Sequence, residues 1–296
     1  TFVYIFLIFG VYEDIFFSIL NFTYDKYQNS NLSLSGGCAQ NSLANGKIKK
    51  ITKFNNVFIP PSPADSGGAV GAAILGSIKK KDSFYLNKSP YLGKSYTNEE
   101  IKELLENYET KLVYEKLSNK DLIKKIAKKL SENFVVGWFS GRAEWGPRAL
   151  GNRSILCNPG NKDAKELLNK KIKLREKFRP FAPSVLEEEA KKWFKTDQIW
   201  PFMSSVITAD INKANKIPAV VHIDGSSRLQ TVNYDQNPKY YSLIKEFYNI
   251  TKIPILLNTS FNENEPIVNT PSEAIECYLR TKMDILVIEN YIISRV

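Results

Sequence analysis

Twice within fifty residues a short strand-like run delivers the chain to a pair of glycines and then to a helix. Few architectures accommodate that pattern. LSLS (32–35) leads into Gly36-Gly37, and VFIP (57–60) leads into SPADSGGAVGAAILGSI (62–78), a glycine-rich loop opening an alanine-rich helix. Strand, glycine pair and helix in repetition is the pattern of an α/β layer. Glycines at such junctions let nucleotide phosphates or an adenosine approach the backbone, here at Gly36, Gly37, Gly67 and Gly68, while Asp65 offers a carboxylate to a metal bound there. Tight helix packing is the competing explanation for the same glycines.

The chain opens on TFVYIFLIF (1–9), apolar and without a basic flank, which makes a poor signal peptide. It is also shorter than the ~18 residues that span a bilayer, so no membrane association is expected. It reads as a buried strand or helix whose partner lies upstream, and the chain as a fragment. Residues 11–30 read as a helix with apolar positions at Ile15, Phe16, Ile19 and Leu20. Residues 79–97 are polar, with Pro90 and Gly93, and read as a linker between a region at 1–85 and one at 86–296. GKS (93–95) resembles the end of a phosphate-binding loop, but Lys88 stands where that motif needs its first glycine, and no strand precedes it.

Beyond the linker, Thr97 with Glu100 and Ser118 with Asp121 stand at capping-box spacing, and a helix is predicted over 119–131. NFVVGWFSG (133–141) and IPILLN (253–258) read as strands. Thr270-Pro271-x-Glu273 starts a helix, and DILVIEN (284–290) with YIIS (291–294) forms a closing hairpin. The second region is therefore α+β with its own core.

The formal charge of +10 comes mainly from lysine clusters such as KIKKITK (47–53) and KKIAKK (124–129), which read as solvated helix faces. Basic patches interleaved with stacking aromatics are not evident, which argues against a nucleic-acid surface. Three widely spaced cysteines indicate a reducing, cytoplasmic setting without disulfides or a zinc site. The single histidine, His222, reads as a hydrogen-bonded structural residue.

Arginine is distributed differently from lysine. None precedes Arg142, and five of the eight fall between Arg142 and Arg179. Guanidinium is a flat, permanently charged fork that grips phosphate or carboxylate bidentately. The run GRAEWGPRALGNRS (141–154) carries Arg142, Arg148, Arg153 and Ser154 without strand or helix periodicity and reads as a loop passing close to an anion. KIKLREKFRPFAPS (171–184) adds Lys173, Arg175, Lys177 and Arg179, the last held extended by Pro180. Two such clusters facing each other would hold a polyphosphate or acyl phosphate; arginines paired to acidic partners are the alternative. HIDGSSRLQTV (222–232), with Arg228, and LLNTSFNENEPIV (257–268), with Asn258 and Ser260, are the other dense polar runs. No nucleophile elbow is present.

Together SGGCAQNSLANGKI, FIPPSPADSGGAVGAAI, GWFSGRAEWGPRALGNRSIL, KLREKFRPFAPSVL, HIDGSSRLQTV and PILLNTSFNENEPIV resemble, in order, the O-carbamoyltransferase family of the NodU/CmcH type. The resemblance implies part of an ASKHA (actin-like) domain, lacking its N-terminal half, followed by a YrdC-like α+β domain. It implies that the second domain joins carbamoyl phosphate and ATP, with Mg²⁺, into carbamoyl adenylate, and that the first moves the carbamoyl group to a hydroxyl of a small acceptor with a bound divalent metal, iron in the family. Carried over by motif, Arg142, Arg148, Lys173, Arg175 and Arg179 would bind carbamoyl phosphate and the ATP phosphates, with Asn258 and Ser260 completing the pocket. Gly36, Gly37 and Asn41 would hold the adenosine, and Asp65 would be a metal ligand. The family's metal-binding histidine pair lies in the missing half. Two other readings stay open: an RNA-binding protein related to tRNA modification, and a non-catalytic nucleotide-binding module.

Overall fold

The computed structural model describes residues 2–81, 89–176 and 179–296. Lys177 and the middle of the predicted linker, 82–88, lie outside the described residues. The chain divides into two units: residues 1–85 with 204–206, and residues 86–203 with 207–296.

In the first unit, α1 (Phe2–Tyr27) is followed by β1 (Asn31–Ser33), α2 (Ser42–Ile51), β2 (Asn56–Phe58) and α3 (Asp65–Lys80). The apolar opening is helix, not strand, and it continues into the helix expected after it. Phe16, Phe17 and Leu20 turn inward, while Ile15 and Ile19 remain more than half exposed, so the buried stripe is shifted from the expected one. β1 and β2 pair in parallel, Leu32 opposite Val57, which places the two glycine junctions side by side as a strand–helix repeat requires. α3 continues to Lys80, two residues into the predicted linker, and buries none of its own side chains.

The second unit contains α4 (Asn98–Glu106), β3 (Leu112–Lys116), α5 (Asn119–Ser131), β4 (Val136–Phe139), β5 (Arg153–Cys157), α6 (Ala164–Lys171), β6 (Ala182–Leu186), α7 (Ala190–Trp193), β7 (Ser205–Thr208, whose first two residues are grouped with the first unit), β8 (Ser226–Val232), α8 (Pro238–Thr251), β9 (Ile255–Ser260), α9 (Pro271–Arg280), β10 (Ile285–Ile288) and β11 (Tyr291–Arg295). Its strands form one nine-stranded mixed sheet in the order β3-β11-β10-β4-β5-β9-β6-β8-β7. Thr97 with Glu100 and Thr270 with Glu273 both close full capping boxes, and Ser118 Oγ accepts the Asp121 N–H at the start of α5. The linker also differs from expectation at its far end, where Tyr91 bridges Glu144.

Helices α5 and α8 pack one face of this sheet. Leu122, Ile126 and Leu130 recur every four residues along α5, as an amphipathic helix demands, and meet Leu243, Ile244 and Phe247 of α8. The α5 lysines face outward, as the sequence suggested. Fully burying one such Leu or Ile contributes about 1.5–3 kcal/mol.

The registers then explain where a polar site can sit. Residues paired across strands share a face. Leu156 opposes Asn258, Ser154 opposes Ser260, Asn258 opposes Ala182, and Ser184 opposes Gln230. One face of β5, β9, β6 and β8 is therefore apolar at one end, with Leu156, Leu256, Leu186 and Val232 under the helices. It becomes polar at the other end, where Ser154, Ser260, Asn258, Ser184, Gln230 and Arg228 follow at two-residue steps.

Candidate functional site

The polar end is organised first by a turn. Glu144, the acid within the arginine-rich run, accepts the backbone N–H groups of Leu150 (2.7 Å), Asn152 (2.7 Å) and Arg153 (3.2 Å) on Oε1. Burial pushes its carboxyl up, and the N–H donors and Arg153 oppose that rise. Gly151 sits in the middle at φ +108°, where a Cβ would meet the Tyr240 ring at 2.2 Å, so only glycine fits this crossing. Ser154 Oγ accepts the Gly151 N–H at 3.1 Å. The run 141–154 is thus a loop only up to Asn152. Arg153 and Ser154 already belong to β5, correcting the expectation for those two residues.

A buried network then holds the carbonyls that follow Arg148. Asn258 Nδ2 donates toward Ala149 O (3.2 Å), Ser184 Oγ (3.1 Å) and Gln230 Oε1 (3.1 Å), while Ser184 Oγ donates to Gln230 Oε1 (2.5 Å). Gln230 Nε2 and the Tyr91 hydroxyl both donate to Leu150 O at 2.9 Å. Four elements distant in sequence therefore fix one loop, and they do so with neutral groups.

Above that scaffold stands a group of cations. Arg228, on β8 one step from Gln230, has its guanidinium pulled down to about 9 by burial and by the charges of Arg148 and Arg175. Burial also lowers Arg148. Burial and Arg179 lower Arg175. Arg228 Nε is buried without an acceptor, and among the described residues neither Arg148 nor Arg228 has a carboxylate partner. Arg175 is oriented by Asn169, whose Oδ1 accepts its Nε–H at 2.7 Å, and lies over the Phe181 ring at 4.9 Å. Arg228, repelled by both Arg148 and Arg175 and carrying an unsatisfied Nε–H, is suited to an anionic partner, since buried charge of one sign requires an opposite one.

The other predicted residues are engaged differently. Arg142 donates to the carbonyls of Gly93 (2.9 Å) and Leu92 (2.8 Å). Arg153, 1% exposed, donates to the carbonyls of Ser140, Gly141, Asn152 and Lys94 and stacks 3.5 Å from the Phe139 ring centre. Arg179 is exposed and pairs with Glu176 at 2.8 Å. Lys173 is buried against Ser260 and Asn262. His222 Nδ1 lies 3.1 Å from Ser226 Oγ, the hydrogen-bonded state its isolation suggested.

In the first unit, Asn41 Oδ1 caps α2 by accepting the Ala44 N–H at 3.1 Å. The Gly36 N–H donates to Pro63 O, joining the two glycine junctions. A Cβ on Gly67 would meet Ser62 O at 2.1 Å, so close packing accounts for that glycine, whereas Gly37 and Gly68 face open space. Asp65 is exposed in the first turn of α3, and no cluster of three His, Cys, Asp or Glu residues able to hold a metal occurs among the described residues. These residues do not by themselves fit a metal centre.

Sequence reasoning missed Glu144, Ser184, Gln230 and Asn169. Glu144 had a signal, being a single acid set among three arginines. The others had none, because an isolated Ser, Gln or Asn is legible only when its strand register is known.

The fold and site define an α+β protein with an arginine-lined polar patch at one end of a mixed sheet. The chain belongs to the carbamoyltransferase family: residues 127–295 match the carbamoyltransferase C-terminus and residues 7–74 the carbamoyltransferase N-terminus. It is 40% identical to an uncharacterized protein of Synechocystis across 96% of this chain and 51% of the relative. It is 40% identical to nodulation protein NolO of Bradyrhizobium diazoefficiens across 90% of this chain and 50% of the relative, and 38% identical to nodulation protein NolNO of Sinorhizobium fredii across 96% and 42%. The chain spans about half the length of the curated relatives it matches. Among solved structures, full-length HypF in its phosphate- and nucleotide-bound form covers 60% of this chain and 22% of its own, at 22% identity and TM-score 0.42. No helix among the described residues is long and apolar enough to cross a membrane.

Proposed function

We propose that this chain forms carbamoyl adenylate from carbamoyl phosphate and ATP, as part of an O-carbamoyltransferase that passes the carbamoyl group to a hydroxyl of a small acceptor. The observation that carries the reading is the trio Arg148, Arg175 and Arg228, without carboxylate partners among the described residues, with the backbone after Arg148 held by Asn258 and Gln230 and Arg175 held by Asn169. Family membership supplies the substrate class, and the second unit is the YrdC-like domain on this reading. Water first cleaves carbamoyl phosphate to carbamate and inorganic phosphate; when a carbamate oxygen then attacks the α-phosphorus and pyrophosphate departs, negative charge builds on crowded phosphate oxygens. Fixed guanidinium donors in a site with little water stabilise that charge without reorganising. No covalent nucleophile is required. The first unit would contribute to transfer as part of an ASKHA domain, with Gly36, Gly37 and Asn41 near the adenosine. Asp65 has no companion ligands, so no step is assigned to a metal there.

Incubating the protein with carbamoyl phosphate, labelled ATP and Mg²⁺ should release pyrophosphate, and Arg148→Ala should abolish that release. Tight ATP binding with no pyrophosphate, unchanged by Arg148→Ala, would reduce the chain to a binding module and sink the adenylation claim.

A further inference from the structure

Lys173 was expected to touch substrate, yet its ammonium meets four protein oxygens. Nζ lies 2.5 Å from Ser260 O, 3.2 Å from Ser260 Oγ, 2.7 Å from Asn262 O and 2.6 Å from Asn262 Oδ1. An ammonium has three protons, so four protein acceptors leave none for a ligand. The residue is 2% exposed. Leu174, directly after it, is 62% exposed and holds φ +42°, a left-handed backbone that is strained for a branched side chain and persists only where its surroundings enforce it. Both flanks enforce it here: Lys173 through the four oxygens, and Arg175 through its N–H to Asn169 O (3.0 Å) and its Nε–H to Asn169 Oδ1.

We propose that Lys173 is a positioning residue: it ties the Ser260–Asn262 turn to the segment after α6, forces the reversal at Leu174, and so sets Arg175 in the anion cluster without meeting the anion itself. This rests on the anion-site reading above. The ammonium, with three N–H groups, serves these four acceptors more fully than a neutral amine, which has two. Burial, and then the Arg175 charge, pull Lys173 down to about 7, while Cys277 on α9 and Glu265 beyond β9 act the other way. The tie is therefore whole below that value and is lost as pH rises through it.

Sulfate tests this, since it keeps one charge state from pH 6.5 to 8.5. In that window Arg228, at about 9, stays largely protonated, Cys277 lies near 12, and burial has moved His222 below its ordinary 6.5. Sulfate binding to the intact chain should weaken by about tenfold between pH 6.5 and 8.5 as one proton is lost. Lys173→Met should bind weakly and without pH dependence. Asn262→Ala, which removes an acceptor and no charge, should also weaken binding at pH 6.5, and the double variant should be no worse than Lys173→Met. A wild-type profile that stays flat, or Asn262→Ala binding as wild type does, would overturn the proposal; those two measurements decide it even if Lys173→Met does not fold. Sulfate failing to bind the wild type at all would instead remove the anion-site reading beneath it.

Discussion

The two ends of one sheet face do opposite work with the same strands. At one end β5, β9, β6 and β8 place Leu156, Leu256, Leu186 and Val232 beneath α5 and α8. Two or four residues further along each strand, the same face carries Ser154, Asn258, Ser184, Gln230 and Arg228. The apolar end is stabilised by area removed from water. At the polar end Arg148 and Arg175 disfavour the charge of buried Arg228, and a neutral hydrogen-bond network, complete apart from Asn258 Oδ1, lies beside it. Core packing and the proposed anion site thus lie at opposite ends of the same strands, a division that no single strand reveals.

Three substitutions can break or sharpen that contrast. The largest effect is expected for Arg228→Met, which should lower pyrophosphate formation on the order of a hundredfold, as removal of a charge-stabilising donor does. Thermal unfolding of the same variant should occur at an unchanged or higher temperature, because repulsion with Arg148 and Arg175 is relieved. A fall in melting temperature would place Arg228 among the structural arginines. At the other end, Leu256→Ala should cost about 2–5 kcal/mol in urea unfolding. Its sulfate affinity below the transition should match wild type, and a loss there would show that the two ends are coupled. A smaller destabilisation than that of Leu256→Ala is expected for Arg153→Met, about 2–4 kcal/mol, from leaving buried carbonyls without donors. Sulfate affinity of the folded protein that fell with it would move Arg153 into the anion site.

Much of this architecture was legible in the sequence, and the illegible part has a physical cause. Thr97, Ser118 and Thr270 marked helix starts because capping is local chemistry, and 119–131 was bounded by such signals. β5, β6 and β8 were not seen, because each turns from apolar to polar partway along, and a strand carrying Arg-Ser, Ser or Ser-Ser-Arg reads as a polar loop. The arginine-rich run pointed to the right neighbourhood. What composition could not separate was Arg153, whose two terminal nitrogens donate to carbonyls although its Nε has no partner, from Arg148, without a carboxylate partner among the described residues; that distinction comes from partners up to 59 residues away. Arg228 joins Arg148 only through a strand order that skips across the chain.

On the proposed reading, the guanidiniums without carboxylate partners would also couple anion binding to folding. A protein that carries repulsion in its empty site gains more from filling it than a neutral site would, because the anion removes an unfavourable term as it adds favourable ones. A ligand present at a hundred times its dissociation constant adds about 2.7 kcal/mol to the folded state. If the proposed site is correct, the lifetime of this protein against unfolding should track the concentration of the phosphate compounds that fill it.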